Sequence, residues 1–342
     1  MRLSESLRRN IMETVVGGIL NKFKIKSRRS TFFFEDILAN YIKECEDAGY
    51  GEEMKEIAQK WAILCTQQLT PTGLKKLSPS IYFNVVAKNV WTNIGLMDFI
   101  HATKNGSIIK IETKNESITR IIEKNSFPVG FFTGILNVLF KSQIEHISKT
   151  QTKESCEYIF KIMNKPFGII SAKEKRVYDS LNYLLTIEGF TLKDALKKNI
   201  LELKKMNKIY FRGKIIFPIE NTVFHIIGNK SILLEKVPFI SHKYFDEIIK
   251  KDTTKERKLA LLKTLLQVMG WGIVEILIKN KKEIVVEIKN LPYGLQVEKN
   301  DWEFLIGTIL GYLWLLDKNL EITNIKEAYK KLIITYSTHH KH

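Results

Sequence analysis

One order of segments occurs twice in this chain, and it restricts the available folds more than any single motif. "IGLMDFIHATKNGSIIKIETKN" has a counterpart in "MGWGIVEILIKNKKEIVVEIKN", "PVGFFTGILNVLF" in "FLIGTILGYLWLL", and "IEHISKTQTKESCEYIFKI" in "LEITNIKEAYKKLIITY". Gly95 pairs with Gly270, Gly130 and Gly134 with Gly307 and Gly311, and Glu145 with Glu321, at offsets of 175, 177 and 176 residues. A shared order of strand, glycine-bearing helix and Glu-bearing strand at a near-constant offset marks a tandem duplication. The length of 342 residues agrees, since such a chain divides into two domains of roughly 150 to 170 residues.

Local periodicity fills in the unit. Phe34, Ile37, Leu38, Tyr41, Ile42 and Cys45 recur at three- and four-residue steps, the stripe of a core-facing helix that ends at Gly49 and Gly51. Met54, Ile57, Ala58, Trp61, Ala62 and Cys65 repeat that pattern until "TPTG" breaks it, and "YFNVVAKNVWTNIG" predicts a further helix. Residues 107–115 alternate as a strand. The segment 126–140 opens on Ser126, carries Pro128 in its first turn and is apolar on most sides, so it reads as a buried helix. A hairpin over 142–160 closes the first unit. After Pro166 and Gly168, residues 172–207 read as helical and basic, and "IYFRGKIIFPI" as a strand. Helices over "KYFDEIIKK" and "RKLALLKTLLQVMGW" follow, then two strands and a buried helix. A terminal pair of strands, or a strand and a short helix, ends the second unit.

Composition excludes several classes. Hydrophobic residues at 44% and aromatics at 11% supply real cores. The early basic stretch "MRLSESLRRNIMETVVGGIL" has only a short apolar run and no small-residue cleavage site, so no secretory leader is expected. The longest apolar run, 302–316, is too short to span a bilayer and carries Glu303, so no transmembrane segment and a cytoplasmic location are expected. Cys45, Cys65 and Cys156 are odd in number and widely spaced, without a C-x-x-C pair. That argues against a disulfide framework or a zinc knuckle. Lys and Arg number 54 against 37 Asp and Glu, a formal charge of +17. Such a field attracts polyanions, although a solvated lysine-rich surface produces the same balance.

Glycines four apart leave one side of a helix bare. In water this lets a neighbouring helix or the sheet approach closely; alternatively the bare face admits a flat apolar ligand, with Gly130, Gly134, Gly307 and Gly311 lining its pocket. The run "FPVGFFTGIL", then "EHIS", then "CEY" eight residues after Ser148, resembles the C-terminal part of the 4-vinyl-reductase domain. That family is similar in fold to the TRAPP vesicle-tethering subunits and, more distantly, to haem-NO-binding domains. Glu145 matches its acidic position, Cys156 its second cysteine and Tyr158 its aromatic, whereas Ser148 stands where the first cysteine belongs and Thr152 where a glycine is usual. In the second copy Glu321 remains, but Asn324 and Ala328 occupy the cysteine positions.

The resemblance implies an α+β fold of two tandem repeats, each an antiparallel sheet packed against a helical layer. The expected division is a first 4-vinyl-reductase-like domain over 1–168, a basic helical connector over 169–210, and a second such domain over 211–342. It implies a small apolar ligand, or a scaffold that dimerises or tethers partner proteins. No cofactor and no metal are expected. A thiolate pair cannot form from Ser148 and Cys156, and neighbours on a strand point to opposite faces, so Glu145 and His146 should not converge.

No nucleotide-binding, zinc-protease or nucleophile-elbow motif occurs, and no nucleophile, base and orienter can be named, so a non-enzymatic role is favoured. His101, His225 and His242 have no spacing partners and read as structural. The alternative is a nucleic-acid-binding regulator. Residues 172–214 would then form a winged helix, with Lys197, Lys198, Lys204, Lys205 and Arg212 near phosphates.

Overall fold

Alternating apolar residues build three four-stranded antiparallel sheets, and with the helices packed on them they form an α+β fold. The computed structural model describes residues 31–168 and 192–338, apart from residues 71, 72, 74, 76, 205, 206, 281, 282, 298, 329 and 330.

The first copy opens with strand β1 (Thr31–Phe34), helix α1 (Glu35–Asp47) and helix α2 (Gly51–Leu69). Helix α3 starts as Pro79–Ile81 and continues with wider, π-type turns over Tyr82–Thr92. The hairpin β2 (Phe99–Asn105) and β3 (Ile108–Lys114) follows, then a short turn α4 (Thr119–Ile122), helix α5 (Phe127–Phe140) and the hairpin β4 (Ser142–Gln151) and β5 (Ser155–Pro166). Their sheet runs β2-β3-β5-β4. Ile109, Ile111 and Thr113 of β3 pair with Phe160, Tyr158 and Cys156 of β5, and all six are buried on the helix-covered face. The opposite face carries the ion pairs of Lys110 with Glu112 and Glu157.

The second copy repeats this plan. Strand β8 (Lys214–Ile219) leads into α7 (Thr222–Lys230), α8 (Val237–Ile248) and α9 (Lys255–Val268). Then come β9 (Ile273–Asn280), β10 (Glu283–Lys289), α10 (Glu303–Leu313), β11 (Leu320–Ala328) and β12 (Lys331–Thr338), in a sheet ordered β9-β10-β12-β11. The registers of the central strand pairs coincide. Ile284, Val286 and Ile288 of β10 pair with Tyr336, Ile334 and Leu332 of β12, the positions held in the first copy by Ile109, Ile111 and Thr113 with Phe160, Tyr158 and Cys156. One irregularity matches as well: β4 slips register between His146 and Ser148, and β11 between Ile322 and Asn324, one residue beyond Glu145 and Glu321. Conserving a bulge at one strand position keeps the same local bend in both edge strands.

A third sheet, ordered β1-β8-β7-β6, joins the copies. Strand β6 is Glu202–Leu203 and β7 is Ile209–Phe211. Thr31 pairs with Ile219 and Phe34 with Ile216, so two strands that each precede the first helix of their copy lie antiparallel. A local two-fold relation follows from that pairing. One large core spans the junction, where Phe33 stacks with Phe224 at 4.6 Å and with Phe304 at 5.7 Å.

Two sequence-based expectations change here. "TFFF" reads as the start of the first helix but forms β1, because its buried rings all serve the central sheet. The basic connector was expected to be helical; its described part holds only one short helix, α6 (Leu192–Lys197), followed by the strands β6 and β7. Residues 172–191 lie outside the described residues. Among the described residues no helix is long and apolar enough to cross a membrane, and the apolar run around α10 is buried.

Candidate functional site

Strand β3 ends at Lys114, and the segment 115–125 then wraps across the end of α1. Asn115, Ile118 and Glu123 in this segment have φ values of 48°, 70° and 57°. For a β-branched residue such as Ile118 that region is strained, and such strain persists only where surrounding contacts fix it. Here Glu35 fixes it. The Ile118 N–H donates to Glu35 Oε1 at 2.9 Å, while Arg120 Nη2 and Nε donate to Oε2 at 2.6 and 3.1 Å. The Arg120 side chain also reaches back to the Asn115 carbonyl at 3.0 Å. Glu35 is fully buried at the first position of α1, where the helix dipole supports a carboxylate. Burial pushes its carboxyl up, and the Arg120 guanidinium pulls against that shift.

Glu116, in the same segment, is buried as well. Its carboxyl accepts from three hydroxyls: Thr113 at 2.7 Å on Oε2, and Thr119 at 3.0 Å and Tyr158 at 2.9 Å on Oε1. Amides stand behind two of these hydroxyls. Gln151 Nε2 donates to Tyr158 Oη at 3.1 Å, and Asn125 Nδ2 to Thr119 Oγ1 at 3.2 Å. Burial pushes the Glu116 carboxyl up, and the three hydroxyl contacts work in the other direction. Cys156 sits next to the cluster with its thiol pushed up to about 11, first by burial and then by Glu116. At that value the thiol is held as S–H at neutral pH and not as the nucleophilic thiolate.

Glu116, Ser117 and Ile118 form one wall of a cavity of about 50 Å³. Phe127, Phe131 and Phe132 of α5 and Trp61 of α2 form the aromatic walls. Phe217 and Ile219 of β8 close it from the second copy, so the cavity lies at the junction of the two. The rings pack tightly, with Trp61 and Phe131 centroids 5.1 Å apart and Phe131 and Phe132 5.7 Å apart. Trp61 Nε1 is buried there with no hydrogen-bond partner.

The four glycines do not line this cavity. A Cβ on Gly130 would lie 1.9 Å from the Lys55 carbonyl oxygen, and one on Gly134 2.5 Å from that of Gln59, so α5 rests on the backbone of α2. Gly311 meets the Pro238 carbonyl at 2.3 Å, and Gly307 the Val237 side chain at 3.2 Å, which seats α10 on α8 in the same way. The expected ligand face between sheet and helix at these glycines is therefore occupied by protein. Close helix approach is what their bareness serves.

The cations expected near phosphates are partly engaged. Arg212 Nη1 donates to the Ile248 carbonyl at the end of α8 at 2.9 Å. Lys204 pairs with Glu202 at 3.2 Å and lies 4.6 Å from the Tyr210 ring. Lys197 and Lys198 are exposed at the end of α6, and Lys205 lies outside the described residues. "IYFRGKIIF" forms a hairpin inside the central sheet, with Arg212 and Gly213 at φ 48° and 84° in its turn, so it is no projecting wing. In the first-copy hairpin, Glu145 and Ser148 face outward opposite Lys161 and Ile159, whereas His146 and Cys156 belong to the inner face. The two positions of the resembled cysteine pattern thus lie on opposite faces of the sheet. His225 is a buried structural residue, with Nδ1 2.6 Å from the Asp301 carbonyl and its ring 4.5 Å from that of Trp302.

Sequence reasoning did not single out Glu35, Glu116, Arg120 or Trp61 for a site. One signal was present: the repeat sets "IETKNE" against "VEIKNL", so Glu116 stands opposite Leu291. The chain matches no protein-family model and no curated protein.

Proposed function

We propose that the chain is a non-enzymatic ligand-binding protein made of two divergent 4-vinyl-reductase-like copies, in which only the first copy keeps a site. The observation that carries this reading is the apolar, largely aromatic cavity whose wall includes the buried Glu116, at a place where the second copy has Leu291. The registers support that equivalence, and Asn115 and Asn290, each just before the position in question, share φ values of 48° and 55°. Burying an acid costs desolvation energy, and buried titratable groups cluster at functional sites. The retention of such an acid beside a cavity, together with the unpaired Trp61 N–H, favours a bound occupant over a purely structural role.

The volume of about 50 Å³ suits an occupant of a few heavy atoms, not a macrocycle. The cavity draws walls from both copies, so an occupant would tie α2 and α5 of the first copy to β8 of the second. That geometry suits a regulatory scaffold whose junction stiffens on binding.

The test uses the full chain and a panel of small apolar and amphipathic compounds, read by thermal shift and by ligand-observed NMR. At least one compound should raise the melting temperature of the wild type and should not do so in the double variant Thr113→Ile, Glu116→Leu, which copies the second unit. An equal response in both proteins, or no response across the panel, refutes this reading.

A further inference from the structure

We infer that two molecules of this chain associate through strand β9, laid antiparallel on its counterpart about a two-fold axis at Leu277, so that two four-stranded sheets become one continuous sheet. The surface involved is remote from the cavity walls, and the inference does not depend on the ligand-binding reading.

β9 is an outermost strand of the second-copy sheet. The phase of its free edge follows from one bond. The Val274 N–H donates to Gln267 Oε1 at 3.0 Å, so it points away from β10. Backbone groups alternate in direction along a strand, and the N–H and C=O of Ile276 and Ile278 therefore point the same way. Among the described residues, no hydrogen bond from another element meets them. An edge of this kind is a template for another strand.

The first copy shows the same edge closed. Ala102 of β2 stands opposite Ile111, and Ile276 opposite Val286, so the two positions are equivalent. At Ala102 one carboxamide takes both backbone groups: Asn84 Nδ2 donates to the carbonyl at 2.9 Å, and the N–H donates to Asn84 Oδ1 at 2.7 Å. The position of Ile278 is held there by Lys104, the kind of charge that keeps edges from pairing. β9 has neither device, and Leu277 and Ile278 are 53% and 45% exposed. β11, the opposite edge of the same sheet, is interrupted by its bulge after Ile322, which turns an edge away from partners.

The occupant is set by the strand's own sequence, E-I-L-I-K over 275–279, which is its own complement when antiparallel. With Leu277 on the axis, Ile276 of one molecule stands opposite Ile278 of the other, and Glu275 opposite Lys279. Residues opposite each other share a face, so the isoleucines meet on the helix side, and the charges and Leu277 on the outer side. The outward groups of Ile276 and Ile278 then bond reciprocally on both sides of the axis. Moving the axis to Ile276 or Ile278 would set a charge opposite Leu277 instead. Glu275 touches Lys289 at 3.5 Å and Lys279 touches Glu283 at 2.9 Å, so the new contacts extend existing ion pairs. An interface of one short edge buries less area than a permanent dimer, which makes the association weak and concentration-dependent.

Sedimentation velocity of the full chain over about a hundredfold range of concentration should show monomer passing to dimer. Ile278→Lys, which copies Lys104 of the first copy, should weaken dimerisation by about tenfold or more, whereas Ile325→Lys on β11 should leave it unchanged. Mild oxidation reads the register. Leu277→Cys should give a disulfide-linked dimer, because that residue faces itself across the axis, and Lys279→Cys should not, because its counterpart lies four residues further along. A chain that stays monomeric throughout, a dimer that Ile278→Lys leaves intact, or cross-linking at position 279 in place of 277 overturns the inference. All four positions are exposed, so the substitutions spare the core, and the wild-type titration needs no variant.

Discussion

The two copies share one backbone plan, one sheet order and one bulge, yet they differ at the heart of the sheet. In the first, Thr113, Glu116, Cys156 and Tyr158 meet the segment that leads into α5. In the second, the corresponding positions are Ile288, Leu291, Leu332 and Ile334, all buried and all apolar. Both solutions satisfy burial, one by filling space with hydrocarbon and the other by pairing every hydroxyl with a carboxyl. The apolar solution is the cheaper one, since a buried acid has to be desolvated and fully hydrogen-bonded to be tolerated. The fold is the same in both copies while one carries polar groups at these positions. The difference therefore lies in side chains and not in architecture.

The comparison can be broken first at Arg120. Arg120→Ala leaves Glu35 buried without its partner, and a loss of about 3–5 kcal/mol is expected in urea unfolding. The loss should be smaller at acid pH, where Glu35 takes up a proton. An undiminished midpoint would show that the strained segment does not depend on this pair. Next come the glycines, which should matter in both copies but unequally. Gly130→Ala and Gly311→Ala force a Cβ into helix backbone and should each cost about 3 kcal/mol, whereas Gly307→Ala meets side-chain atoms of Val237 and Pro238 at 3.2 Å or more and should cost under about 1 kcal/mol. A reversed order in the denaturation midpoints would refute the packing account.

A smaller effect separates the copies by pH. The folded Glu116 carboxyl is raised above 4.5, its ordinary value, by burial. The folded state then holds its proton to higher pH than the unfolded chain does. The stability this supplies is fully present below the ordinary carboxylate range and declines as pH rises through the folded value. The decline is at most about 1.4 kcal/mol per pH unit for one carboxyl. Subtracting the Glu116→Gln curve from that of the wild type between pH 4 and 8 should reveal it, and a flat difference would rule it out. The smallest effect lies on the outer face. Lys110→Ala removes exposed ion pairs with Glu112 and Glu157 and should leave the melting curve unchanged within error.

Much of this fold was legible in the chain. The stripe at Ile37, Leu38, Tyr41 and Ile42 packs as its period requires, and the G-x-x-x-G helices are buried. Less legible was any contact between residues far apart in sequence. Thr31 and Ile219 are 188 positions apart, and no local period announces that they pair. The same holds for Glu35 and Arg120, which are 85 apart and read singly as two surface charges. Ser148 and Cys156 illustrate the reverse case: they hold the two positions of the resembled cysteine pattern, and the sheet puts them on opposite faces.

By itself the sequence determined the elements and their duplication, because hydrophobic period and glycine spacing act over a few residues and survive in both copies. Tertiary structure decided which bare helix face would be filled and which buried acid would lie in a cavity wall. Those outcomes depend on what arrives from distant parts of the chain, here the Lys55 carbonyl of α2 against Gly130 and Phe217 of β8 in the cavity whose wall includes Glu116.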